Sequence, residues 1–497
     1  QHQYDLYVDD QIRVTPDLSV SVGLRYTYWQ SLREKDNQLA HFDYATGEIV
    51  YPRNSPDITP FEQYFPYKYR RDGPDYLFDM PKANFQPSVS VAWSPWGPKT
   101  VIRGGYSRYH ATPSIANLVA IVTVPPFLIS GQRNNRGLLL SDAFLLSEPA
   151  LPPEVSTETF SLPSLQLGDF NYEAPMIQSW NIDIQYQLTN SMVASIGYVG
   201  NDADDLNSIR RPNSPPPGPG AIDCDPPYNS PDCRRPYPGI GRIIDVGWDG
   251  ISNYHGLQTN LTRRFSDGLM FNVSYAFGKT LGTVDELIEI NGGNLNLFDP
   301  AEVRAKDYGR NSYDFRHIFR ASSIWQVPVG RGQRFLTDVH PAVDAILGGW
   351  QLSGILTLQS GQAFSVFGGF NLNAQRTSRP DRICDGNLDS DQRTILRDID
   401  TSCFVNQNEF RDGTAGRNIL DQRSLRNLDL AIQKYFTLPI GPLENPRLQF
   451  RAEMFNATNT PFFAIPSASC CGSENFGRIF ETERENRVIQ MGLKLTF

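Results

Sequence analysis

The stretch that comes nearest to a chemical site is Asp385-Gly386-Asn387-Leu388-Asp389-Ser390-Asp391. Oxygen-bearing side chains at alternate positions are how the first half of a calcium loop offers its ligands. Two features argue against an EF-hand. The Gly is out of place, and Leu396 stands at the twelfth position, where a bidentate carboxylate is needed. An acidic, solvated turn between Cys384 and Cys403 is the better reading, so no metal and no cofactor are assigned.

Thiol and imidazole chemistry leaves less trace. Cys224, Cys233, Cys384, Cys403, Cys470 and Cys471 all lie in Pro-, Gly- and Asp-rich stretches, and no C-x-x-C occurs. The local pairs 224–233 and 384–403 and the adjacent 470/471 suit disulfides facing an oxidising exterior, with the pairing left open. The histidines (His2, His41, His110, His255, His317 and His340) are scattered, with neither H-E-x-x-H nor G-x-S-x-G. His255 and His317 fall at strand starts, where an interfacial or lumen-facing imidazole is the ordinary expectation. No catalytic residue is assigned, and the chain reads as a non-enzyme.

The elements that carry these residues are strands. At the C-terminus, Ile489, Met491, Leu493, Leu495 and Phe497 point one way while Gln490, Gly492, Lys494 and Thr496 point the other. The same alternation recurs at Leu18 to Tyr28, Trp180 to Leu188, Leu269 to Phe277 and Leu428 to Ile432. Its apolar sets end in aromatics, as the girdles of a membrane barrel require. In order, the runs predict strands near 3–14, 18–30, 83–93, 100–109, 176–188, 192–200, 253–265, 268–278, 314–327, 348–359, 426–436, 446–456 and 487–497.

The connections are more telling than the strands. Short turns alternate with long loops near 31–82, 110–175, 201–252, 279–313, 360–425 and 457–486, and residues 328–347 make a longer member of the short class. Bacterial barrels have this two-sidedness, with short periplasmic turns and long extracellular loops. A soluble sandwich has no reason to place every long loop at one end. The fold expected is all-β, a transmembrane antiparallel up-and-down barrel spanning residues 1–497, with its C-terminal strand ending at the periplasmic boundary.

Composition agrees. Among 497 residues there are 22 Tyr, 29 Phe and 7 Trp, with 39 Gly and 37 Pro, a balance that favours β over helix. A formal charge of −9 excludes nucleic acid as a partner, since no basic stripe exists to neutralise phosphates. No apolar run reaches the length of a membrane helix, which says nothing against strands. The N-terminus lacks an initiator Met and is no signal peptide, so either a leader has been removed or the chain starts inside a longer protein.

Several stretches resemble the TonB-dependent receptors of the Oar-like type, which are large outer-membrane transporters. The most specific is Gly416-Arg417-Asn418-Ile419-Leu420, followed by Leu428-Asp429-Leu430 and Lys434, then by Leu448-Gln449-Phe450-Arg451-Ala452-Glu453-Met454-Phe455-Asn456-Ala457-Thr458-Asn459. Others are Leu257 to Phe265 leading into Phe271-Asn272-Val273-Ser274-Tyr275, and Asp314-Phe315-Arg316-His317 running to Val327-Pro328-Val329-Gly330-Arg331-Gly332. Gly348-Gly349-Trp350-Gln351-Leu352-Ser353-Gly354 with Ser360-Gly361-Gln362 completes the set, which covers most of residues 176–497.

That resemblance implies a barrel of about 22 strands with a plugged lumen. Such a barrel imports a scarce solute with energy from a TonB-type inner-membrane complex. Two departures stand out: no plug or TonB-box-like segment is present, and the strand count is odd where single-chain barrels are even. By subtraction about nine strands are missing upstream, so the chain is expected to be the C-terminal part of a receptor barrel or a truncated relative.

For such a barrel the functional surface is the lumen. The period places Arg25, Asp183, Gln185, Asn260, Asp429, Arg447, Arg451, Glu453 and Lys494 inward. A charge network that fills a wet interior is the ordinary reading of these residues, and none is assigned as a substrate ligand. The long loops, with Pro215-Pro216-Pro217-Gly218-Pro219, Leu138-Leu139-Leu140 and Phe144-Leu145-Leu146, either capture ligand, dock a surface lipoprotein, or shield the barrel mouth. The expected partners are outer-membrane lipid, a TonB-type energy-coupling complex acting through a plug outside these residues, and an extracellular solute. Peptides, oligosaccharides and metal chelates all remain open as that solute. The rival readings are a non-transporting structural or adhesive outer-membrane protein and a soluble secreted β protein.

Overall fold

A computed structural model describes residues 2–59, 68–76, 78–111, 165–216, 234–238, 240–285, 300–368, 379–407, 411–437 and 447–496. Cys224, Cys233, Pro217 to Pro219, the apolar runs near 138–146 and the terminal Phe497 lie outside the described residues.

All thirteen expected strands are present, and they form one antiparallel meander in chain order. They are β1 (Gln3–Thr15), β2 (Leu18–Trp29), β3 (Phe85–Trp93), β4 (Thr100–His110), β5 (Met176–Thr189), β6 (Met192–Arg210) and β7 (Ile243–Ser266). Then follow β8 (Leu269–Gly282), β9 (His317–Gln326), β10 (Trp350–Gln359), β11 (Leu425–Thr437), β12 (Arg447–Phe455) and β13 (Val488–Thr496). Each strand pairs with the next, so among the described residues β1 and β13 are the two edges of an open sheet.

Register keeps the two faces apart, because cross-strand partners always share a face. One row runs Ser323, Gly354, Leu430, Met454, Ile489 from β9 to β13. The adjacent row carries Ser322, Ile355 and Asp429 on the other face. On the apolar face, aromatics gather at both ends of the strands. At the end bearing the long loops, Tyr4 stacks on Tyr28 with ring centroids 6.3 Å apart, and Tyr26 meets Phe85 at 5.0 Å. His255 and His317 stand in this girdle, with Tyr198 and Tyr275 hydroxyls 2.7 Å and 2.8 Å from their Nδ1 atoms. Trp93, Trp325 and Trp350 mark the opposite end. There the chain turns tightly. Asp267 and Gly268 both hold positive φ, 51° and 76°, as a two-residue hairpin whose twist matches the strands demands.

The connection expected at 201–252 is shorter than its sequence suggests, at both ends. Residues 201–210 and 243–252 are strand, not loop: β6 and β7 stay paired from Met192 and Arg263 out to Arg210 and Asp245. This projecting ribbon carries register shifts at Ala203/Leu206 and Leu206/Ser208, and Asp205 sits at φ 58°. Each bulge breaks the period of two, which is why alternation fails to announce the extension.

The dry cores belong to the loops. Ile49, Tyr51, Ile58, Leu165, Leu167, Ile240 and Ile243 form one, and Trp29, Phe78, Met80, Tyr172 and Trp248 a second. Phe364, Val366, Ile399, Phe404 and Leu420 form a third. A sheet with lipid on one side and a wet lumen on the other offers no such core.

Candidate functional site

All nine residues expected to face inward share one face of the sheet, the more polar one. The register carries Arg25 to Gln86, Asp183 to Gly197, Gln185 to Ser195 and Asn260, and Arg451 and Glu453 to Gly492 and Gln490. Small polar side chains fill the space between them. Ser21, Ser90, Ser107, Asn181, Ser195 and Ser274 line a groove of about 930 Å³ that also reaches Asp183, Asn260 and Arg320.

The inward charges are largely tied to one another. Arg25 lies 3.0 Å from Asp5, which also accepts from Thr27 Oγ1 at 2.6 Å. Arg103 Nη1 donates to Gln185 Oε1 at 2.6 Å and lies 3.9 Å from Asp183. Arg451 is paired with Glu453. Asp429 accepts from Asn427 Nδ2 at 3.0 Å and from the Asn456 backbone N–H at 2.8 Å, so it caps the start of the loop after β12. Arg25, Asp183, Asp429, Arg451 and Glu453 are therefore engaged with neighbouring side chains or backbone rather than presented as free ligands. Glycine makes room on this face for Tyr254: Cβ atoms added at Gly256 and Gly278 would sit 2.1 Å and 2.7 Å from its hydroxyl or ring.

Above the wall the loops interlock. The β8–β9 connection contains helix α1 (Pro300–Asp307), and four ion pairs fasten it to the β10–β11 connection. Arg417 reaches Asp285 at 3.0 Å, Lys306 reaches Asp412 at 2.8 Å, Arg310 reaches Asp421 at 2.6 Å, and Arg379 pairs with Asp307. Two of these are fully dry: the Arg417 and Arg379 side chains are 0% and 1% exposed. Asn418, at φ 50°, donates to Asp285 Oδ2 and to the Arg310 carbonyl at 3.2 Å and 2.7 Å. Asp314 accepts from Thr280 N at 2.7 Å and from Arg310 and Arg316. A similar clamp holds the β6–β7 ribbon, where Arg210 lies 3.2 Å from Asp245 and 3.1 Å from Asp169.

The acidic stretch at 385–391 forms a turn in this layer. Asp385 Oδ1 accepts from both the backbone N–H and Nδ2 of Asn387, at 3.2 Å and 2.8 Å. No group of three or more His, Cys, Asp or Glu side chains converges among the described residues. Disulfides join Cys384 to Cys403 and Cys470 to Cys471. The pairing Arg411 side chain holds the Asp381 carboxyl below its ordinary value of 3.8, and Ser402, then Arg397, do the same for Asp400. Carboxylates with lowered folded-state pKa stabilise the fold fully above their ordinary pKa, and that contribution is lost as pH falls through the folded value. Protease cleavage within 379–407 should therefore stay constant from pH 7 to pH 5 and rise as pH drops below 3.8. A flat profile down to pH 2 would remove these pairs as supports of the loop.

The sequence model of a family described as outer membrane beta barrel domain matches residues 1–490. No curated protein matches the sequence. Among solved structures, the outer membrane transporter YddB from Escherichia coli is 12% identical over 99% of this chain and 44% of its own, with a TM-score of 0.49. The ferric enterobactin receptor from Pseudomonas aeruginosa gives 12%, 99%, 44% and 0.44. The FrpB iron transporter from Neisseria meningitidis gives 11%, 99%, 44% and 0.41. The chain spans less than half the length of each of these proteins.

Proposed function

The chain belongs to the outer membrane β-barrel domain family, and on that premise we propose that its thirteen strands form part of the wall of a TonB-dependent-receptor-like barrel that imports an extracellular solute. The observation that carries this reading is the division of the sheet. One face is apolar with aromatic ends. The other is mostly polar and carries a groove, and the connections after β8 and β10 form an ion-paired loop layer. The resemblance of residues 176–497 to Oar-like receptors supports import rather than a purely structural role.

The open edges fit the same proposal. Lipid leaves an unpaired strand edge no water to bond, so a wall of this kind is closed by further strands pairing with β1 and β13. About nine more would match the large transporters, whose lumen is plugged. On this reading a plug domain transmits energy from a TonB-type inner-membrane complex, and the loop layer meets the solute first.

The test compares cells with and without the intact gene. The solutes depleted from a defined medium are measured by mass spectrometry, with and without a protonophore. At least one solute should persist in the medium of the deletion strain and of protonophore-treated cells. Identical depletion under all conditions would overturn the transport reading while leaving the barrel intact.

A further inference from the structure

The connection between β9 and β10 is a folded unit rather than a turn. Gly330 N donates to Phe335 O at 2.9 Å and Phe335 N to Pro328 O at 3.0 Å, closing a small loop just after β9. Helix α2 (Pro341–Leu347) follows, begun by Pro341 and capped by His340, whose Nδ1 accepts from Ala342 N at 3.2 Å. Asp344 Oδ1 reaches back to the Arg331 N–H at 2.7 Å and locks turn to helix.

This unit is fastened to the outer, apolar face of the sheet. Trp350 and Lys434 are register partners, on the same face as Leu352 and Ile432. Trp350 Nε1 donates to the Ile346 carbonyl at 2.8 Å, and Lys434 Nζ donates to the Gly348 carbonyl at 2.5 Å. The Lys434 ammonium lies 5.4 Å and 5.1 Å from the Trp350 and Phe436 ring centres. Both contacts pull the C-terminal end of α2 toward the lipid side of the rim.

The unit leaves large apolar side chains exposed among polar ones. Phe335, Ile346 and Leu347 are 55%, 69% and 46% exposed, and Leu336 is 46% exposed although its φ of 58° is unfavourable for a residue with a side chain. Arg331 and Arg334 share the same turn, the Arg334 guanidinium 5.7 Å from the Phe335 ring centre. Exposed aliphatics beside arginines, continuous with an aromatic belt, are the chemistry of a surface lying in a headgroup layer.

We propose that residues 327–349 form an interfacial anchor in the periplasmic leaflet of the outer membrane. Phe335, Leu336, Ile346 and Leu347 enter the acyl boundary, and Arg331 and Arg334 meet lipid phosphates. The proposal rests on the barrel reading of the sheet but not on transport.

Nitroxide labels placed by Ile346→Cys and, independently, Leu347→Cys test it in proteoliposomes of phosphatidylethanolamine and phosphatidylglycerol. Unsubstituted protein carried through the same labelling gives the background. A label at Lys35→Cys, in an exposed loop, gives the aqueous reference, and one at Leu356→Cys, on the apolar sheet face, gives the lipid reference. Labels at 346 and 347 should collide with oxygen several-fold more than with a water-soluble nickel complex, as at 356. Nickel accessibility equal to that at 35 overturns the anchor. So does shielding from both reagents, which would mean a protein partner covers the helix. An aqueous result at 356 as well would instead defeat the barrel reading beneath it.

Discussion

Replacing Arg417 by alanine should loosen the loop layer while leaving the strands below it folded. The Arg417 side chain has no exposed surface, and it meets an Asp285 carboxylate that is 5% exposed. Taking away the cation removes a buried ion-pair partner of that carboxylate, a loss worth about 3–5 kcal/mol. The Ser312 N–H and Asn418 Nδ2 still reach Asp285, at 3.0 Å and 3.2 Å, but they are neutral donors and offset only part of the charge. Substituting both members, Arg417→Met with Asp285→Leu, removes the charge along with its partner and should restore most of the stability. Limited proteolysis of intact outer membranes separates the outcomes. The single variant should be cut within 379–421 far faster than wild type and the double variant only slightly faster. If the single variant resists protease as wild type does, the latch between the two connections does not hold the layer together.

The strands could be read from sequence because lipid on one side and water on the other enforce a strict period of two, as from Leu18 to Tyr28. The latch could not be read that way. Arg379 and Asp307 are 72 residues apart, and each is an isolated charge in a polar loop whose partner only folding reveals. One signal did exist. Gly416 to Leu420 and Asp314 to His317 are stretches that resemble a known family, and both carry side chains of this layer, Arg417, Asn418 and Asp314. The unit between β9 and β10 hid differently. Its apolar residues Phe335, Leu336, Val343, Ile346 and Leu347 follow no period long enough to stand out, so in the sequence it reads as a long turn. The ribbon beyond β6 and β7 was obscured by its own bulges.

An arginine at position 430 should cost the barrel far more than one at position 431, although the two residues are neighbours. Leu430 sits near the middle of β11 on the apolar face, between Gly354 and Met454. It also covers Gly354, where an added Cβ would lie 3.1 Å from Leu430 Cδ2. A charge forced into lipid at mid-depth destabilises a transmembrane barrel by about 2–4 kcal/mol. Ala431 points to the lumen and is the register partner of Glu453. An arginine there enters water beside a carboxylate, so its cost should be close to zero. Folding titrations in urea against phospholipid vesicles, read by heat-modifiable mobility, measure both. The contrast tests the assignment on which everything else stands, since the groove, the ion-paired wall and the import reading all require that 431, not 430, faces the lumen. If Ala431→Arg is the more damaging substitution, the faces are inverted and the polar wall is not a lumen.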